Sequence, residues 1–104
     1  MNDGLTPEYR EEIHRILAKA ARVDRAVLFG SRAIGTFGKA SDIDLVLEGP
    51  NLDLPDLASL LGEFDESSLP YKVDLMIRAE IVNPELENRI KIHGKTFYEK
   101  QNPP

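Results

Sequence analysis

Ala26-Val27-Leu28-Phe29-Gly30-Ser31-Arg32-Ala33-Ile34-Gly35, followed shortly by Ser41-Asp42-Ile43-Asp44-Leu45-Val46-Leu47-Glu48, is the stretch on which the fold turns. Ala26 to Phe29 form an apolar run too short for a helix and bulky enough for a buried strand. Gly30-Ser31 closes that run with a turn of the kind that opens a short helix. From Ile43 to Glu48 the pattern alternates: Ile43, Leu45 and Leu47 face one way, and Asp42, Asp44, Val46 and Glu48 the other. The second strand therefore has an apolar back and an acidic front.

Helical signals surround these strands. Thr6-Pro7-Glu8 reads as a hydroxyl cap, a first-turn proline and an acid at the positive helix end. Tyr9, Ile13, Ile16, Leu17 and Ala20 recur at three- and four-residue steps, which predicts an amphipathic helix over 7–21 with His14 off its apolar stripe, on the surface. Gly49-Pro50-Asn51 ends the acidic strand. Asp53 and Pro55 begin another helix on Leu54, Leu57, Leu60, Leu61 and Phe64. After a loop at Ser67-Ser68-Leu69-Pro70, Tyr71 to Ile77 repeats the strand pattern, with Val73, Leu75 and Ile77 on one face and Lys72, Asp74 and Met76 on the other. Asn83-Pro84-Glu85 starts a last helix, in which Arg89, Lys91 and His93 suit the negative end and Gly94 is expected to terminate it in the left-handed conformation. Thr96-Phe97-Tyr98 reads as a short closing strand, and Gln101 to Pro104 as frayed. The order predicts a layered α/β domain, one sheet with helices against it, spanning 1–104 as a single unit.

Composition narrows the function. The chain has 104 residues, 13 Lys and Arg against 18 Asp and Glu, and a formal net charge of -5, which argues against a broad grip on nucleic acid phosphates. Without cysteine and with only 2 histidines, it offers neither a disulfide framework nor an ordinary Cys/His zinc site, so any metal is expected to be held by oxygen. No secretory pattern or membrane-length apolar run is present, and a cytoplasmic location is expected.

Asp42 and Asp44, two apart on a strand, project from the same face with about 6 to 7 Å between Cα atoms. Asp74 holds the matching position on the next strand in sequence. If those strands are neighbours, three carboxylates gather over one patch, where they repel one another unless a cation lies between them. Magnesium typically takes one or two carboxylates plus phosphate oxygens. The plainer reading, that all three are solvated strand residues, weighs less because Asp is disfavoured inside strands. At Gly30-Ser31, backbone amides at a helix start can bind an anion, the Ser31 hydroxyl can donate to a phosphate oxygen, and Arg32 can add charge. Taken alone, the same turn is an ordinary helix cap beside a solvated cation. A phosphate cradle next to magnesium-binding acids points to metal-assisted phosphoryl or nucleotidyl transfer.

Gly30-Ser31-Arg32-Ala33-Ile34-Gly35, Ser41-Asp42-Ile43-Asp44-Leu45 and Val73-Asp74-Leu75 together resemble the signature of the DNA polymerase β-like nucleotidyltransferase superfamily. The nearest resemblance is to the minimal nucleotidyltransferases that accompany a HEPN-domain protein in toxin-antitoxin pairs, and it covers nearly the whole chain. The resemblance implies a small mixed sheet packed against helices. It implies that Asp42 and Asp44 bind the Mg2+ that grips ATP, and that Asp74 completes a second Mg2+ site and orients or deprotonates the attacking hydroxyl. Gly30 and Ser31 would hold the β and γ phosphates with Arg32 beside them, and Ser41 would support the metal loop by hydrogen bonding. Ile34 departs from the pattern, since many relatives carry a second basic residue there, leaving Arg32 or Lys39 to contribute.

Larger members of the superfamily add a domain that binds the acceptor. With no length left for one, the catalytic face is expected to be open and completed by a partner, because poor positioning of the acceptor forfeits the advantage of proximity. The resemblance implies transfer of AMP from ATP to a tyrosine of a HEPN toxin, this chain being the antitoxin. Two alternatives stand beside it: a catalytic subunit modifying a small molecule held by a separate substrate-binding subunit, as in aminoglycoside nucleotidyltransferases, and an antitoxin acting by binding alone.

Overall fold

In the computed structural model, which describes residues 3–100, the first helix α1 runs Pro7–Ala18. Thr6 caps it, its hydroxyl accepting from the Tyr9 amide at 3.2 Å. The helix stops short of the expected residue 21 because the Lys19 and Ala20 amides bond three residues back, to Ile16 and Leu17, tightening the last turn. Then follow β1 (Arg25–Phe29), the single-turn α2 (Ser31–Ile34), β2 (Ile43–Glu48), α3 (Leu54–Asp65), β3 (Val73–Ile77), a 3-10 turn at Arg78–Glu80, α4 (Pro84–His93) and β4 (Lys95–Glu99). Asp53 and Asp56 exchange side-chain and backbone hydrogen bonds at 3.1 and 3.2 Å, a reciprocal cap that fixes where α3 begins. The frayed tail expected at 101–104 lies outside the described residues.

The four strands form one mixed sheet in the order β3-β2-β1-β4. β1 is antiparallel to both of its neighbours, while β2 and β3 are parallel with α3 as their crossover. One face carries the main core, in which Ile13, Leu17, Leu28, Ile43, Leu45 and Leu47 are fully shielded from solvent between α1, α3 and the sheet. On the opposite face a smaller cluster of Val27, Val46 and Ile90 seats α4. Each such side chain contributes about 1.5–3 kcal/mol on burial, enough to hold a short helix. Val46 is buried although it lies on the acidic front of β2, so α4 covers that end of the front and leaves the Asp44 end open. Among the described residues no helix is long and apolar enough to cross a membrane.

Two expectations need correction. Gly94 is extended (φ -63, ψ 143), not left-handed. A Cβ there would collide with the Ile90 carbonyl oxygen and lie 2.7 Å from Val27 Cγ1, so glycine is required by close approach as the chain turns from α4 into β4. His14 is half-buried, not a free surface residue: Nε2 donates to the Phe97 carbonyl at 2.7 Å and the ring meets Phe97 edge-on, fastening α1 to β4.

Arg78 ties α4 to the sheet, donating from Nη1 to Glu48 at 2.9 Å and from Nε to both Glu87 oxygens, while Nη2 also meets Glu87. The hydrogen bond from Arg78 holds the Glu87 carboxyl below its usual range. Its folded-state value lies under the unfolded one, so the stabilisation is present above the unfolded pKa of about 4.3 and is lost as pH falls through the folded value. Glu87→Gln is expected to lower the thermal midpoint at pH 7, with the gap to wild type narrowing as pH drops below about 4; thermal melts across pH 3–7 measure this.

Candidate active site

The parallel register places Asp44 opposite Asp74, one strand spacing of about 4.8 Å away. On the other side Phe29 pairs with Asp44, which brings the end of β1 and the Gly30 turn against the same carboxylate. Gly30 has φ +76, a conformation that glycine adopts without strain, and a Cβ on it would sit 2.6 Å from Asp44 Oδ2. The turn and the acid thus meet in a contact that only glycine fits. The amides of Ser31 and Arg32 open α2 and have no partner within it, while those of Ala33 and Ile34 bond the Gly30 carbonyl.

Burial, then the charges of Asp74 and Asp42 and a hydrogen bond with Asp74, push the Asp44 carboxyl above its usual range, and Lys72 offsets part of the rise. Lys72 also pairs with Asp74 at 3.7 Å. Asp44 and Asp74 are therefore in contact, whereas Asp42 acts on Asp44 through its field. Among the described residues no three His, Cys, Asp or Glu side chains are gathered into a metal-holding group. The convergence of three carboxylates expected from the sequence is here a contacting pair with a third acid nearby. Hard oxygen donors with excess negative charge suit a divalent cation, and Mg2+ needs only one or two carboxylates when phosphates complete its shell.

Arg32 requires a correction. Expected to supply charge to a phosphate, its side chain is instead 1% exposed and turned into the fold. Nε and Nη2 donate to the Ser41 carbonyl at 3.1 and 2.9 Å, and Nη1 donates to the Asp3 carbonyl at 2.8 Å. The guanidinium also lies 4.3 Å from the Tyr71 ring centroid. Ser41 immediately precedes Asp42, so Arg32 positions the acidic loop. The Ser41 hydroxyl accepts from the Gly38 amide at 2.7 Å and closes that loop on itself. Lys39 is exposed and lines a separate hollow with Phe37 and Tyr71, away from Gly30-Ser31. Arginine followed by a small residue in a turn carries no sequence signal for burial, which is why the sequence reading missed this role.

The family model described as the nucleotidyltransferase domain matches residues 10–96. The chain belongs to that family. It is a nucleotidyltransferase, and its mixed α/β sheet is the fold of that family. The nucleotidyltransferase is 34% identical over 79 residues to "Putative protein adenylyltransferase MJ1379" of Methanocaldococcus jannaschii, an alignment covering 74% of this chain and 79% of the relative. It is similar to a chain in a crystal structure of a toxin-antitoxin with AMP-PNP, at TM-score 0.72 and 26% identity over 88% of this chain and 74% of the other. It also shares its fold with a chain from a complex of tri-AMPylated Shewanella oneidensis HEPN toxin with MNT antitoxin, at TM-score 0.65 and 22% identity over 88% and 70% of the two chains.

Two outcomes follow from this geometry. Arg32→Lys retains the charge but not the fork that spans Ser41 and Asp3, and it is expected to cost about 2 kcal/mol or more in a denaturant titration. For Asp44, a folded pKa raised above the unfolded one means that its stabilising contribution is present below the unfolded value and lost as pH rises through the folded one. Asp44→Asn, neutral throughout, is expected to melt higher than wild type at pH 7 without divalent ions, with the difference vanishing below about pH 4.

Proposed function

We propose that the nucleotidyltransferase moves the AMP moiety of ATP onto a tyrosine hydroxyl of a HEPN-domain toxin in the cytosol, acting as its antitoxin and using Mg2+. The observation that carries this reading is the close approach of Gly30 to Asp44, which sets the glycine turn directly beside a carboxylate pair. The M. jannaschii relative, named for protein adenylyl transfer, supports the nucleotide and acceptor class. The structural neighbour crystallised as a toxin-antitoxin with AMP-PNP supports a toxin as partner and ATP as the nucleotide.

In this reading the Gly30 turn and the Ser31 hydroxyl bind the β and γ phosphates, and the loop clamped by Ser41 holds Asp42 towards the triphosphate. Asp42 and Asp44 would hold one Mg2+, and Asp74, with them, a second. Bound there, the ions would neutralise the triphosphate and the departing pyrophosphate. Asp74 orients the acceptor and takes its hydroxyl proton, passing it on to water. The acceptor oxygen bonds the α-phosphorus in line as the α–β bridging bond breaks, and pyrophosphate leaves. α4 packs on Val27, Val46 and Phe29 but leaves Asp42, Asp44 and Asp74 half-exposed, so the approach to the acids is open to a partner that brings its own acceptor.

Incubation of the chain with labelled ATP, Mg2+ and the protein encoded beside it is expected to label that protein. Asp42→Asn is expected to cut labelling at least about a hundredfold, given the several kcal/mol that metal charge stabilisation supplies. Label on a small molecule instead would reassign the chain as a subunit of a small-molecule transferase. Toxin neutralisation that survives Asp42→Asn with no label anywhere would make it a binding antitoxin.

A further inference from the structure

A cavity of about 460 Å³ opens beside the Gly30-Ser31 turn, a volume in the range of small-molecule sites. Phe29 and the turn form one side. α4 forms the other, presenting Leu86, Arg89 and His93. Their spacing of three and four residues puts them on one stripe of the helix. The sequence accounts for these cations as complements to the negative helix end, but the last-turn bases are Lys91 and His93, and the dipole fades within that turn. Arg89 stands further back. It is exposed, and among the described residues it has neither an ion pair nor a hydrogen bond.

The rest of the site is poor in available positive charge. Arg32 is buried on carbonyls, Lys72 is paired with Asp74, Lys39 lines another hollow, and Ile34 is apolar. A triphosphate entering beside Asp42, Asp44 and Asp74, on a chain of net charge -5, needs cations facing its far end. We propose that Arg89 and His93 are that wall, with the Arg89 guanidinium pairing with the terminal phosphates that the Gly30-Ser31 turn cradles and His93 donating a further hydrogen bond. This assignment rests on the nucleotide reading given above. A base lodged against Phe29 and Leu86 is the competing occupant, and it would make affinity depend on the nucleoside rather than on phosphate number.

Calorimetric titration of the full chain with ATP and AMP in Mg2+ buffer separates these cases. Arg89→Gln is expected to weaken ATP about 10- to 100-fold while AMP stays within about threefold, Arg89→Lys to recover part of the loss, and His93→Gln to weaken ATP about threefold or more. Both α4 residues are exposed, so the melting temperature should not move. Equal affinity of Arg89→Gln and wild type for ATP overturns the proposal, as does a parallel loss for ATP and AMP. Ser31→Ala distinguishes the two levels of failure. If it reduces the ATP preference and Arg89→Gln does not, only the α4 assignment falls; if wild type shows no preference for ATP over AMP, the cradle reading falls and the α4 assignment with it.

Discussion

The in-register parallel pairing of β2 with β3 forces two carboxylates into contact at the edge of a hydrophobic sheet, and the surrounding structure serves to keep them there. Parallel strands need a crossover, which α3 supplies, and the strand backs need a core, which Leu45 and Leu75 enter from the other face. A slip of one residue in either strand would send Asp44 or Asp74 into that core and a leucine outward, so the apolar pattern holds the acids in place more firmly than their own interactions do. Their mutual repulsion opposes folding, and the burial of β2 overcomes it.

Arg32 provides the second constraint. A buried guanidinium without its full set of acceptors is strongly destabilising, so the Ser41 and Asp3 carbonyls must both be present when the chain is folded. The acidic loop is thereby fixed at its root, while the Ser41 hydroxyl fixes the bend before it. What reads in the sequence as a charged member of a phosphate motif is, in the fold, a bracket between the first described residues and the acidic loop.

Elements governed by local chemistry were legible in advance. The caps at Thr6, Asp53 and Asn83 and the alternation in β2 and β3 reproduce closely, because a cap is decided within four residues and alternation by a period of two. Asp44 and Asp74 were legible as a candidate pair because each is a polar interruption at the same phase of an apolar strand. The non-local features were hidden. Gly94 is hemmed in by Val27, a residue far away in sequence, as well as by the Ile90 carbonyl of its own helix, and His14 is drawn inward by Phe97. Arg89 was explained away by the helix dipole, and only the placement of α4 over the sheet reveals what its stripe faces.

The bracket at Arg32 bears on transplantation of the motif. A cassette carrying residues 30–44 into another scaffold would bring the glycine turn, Asp42 and Asp44, but leave behind the Asp3 carbonyl and the Tyr71 ring that keep the guanidinium dry. In its new host that arginine would swing to water and let the acidic loop drift. Portability of the chemistry is therefore set by a donor-acceptor shelter built from segments far apart in the chain, and not by the signature residues alone.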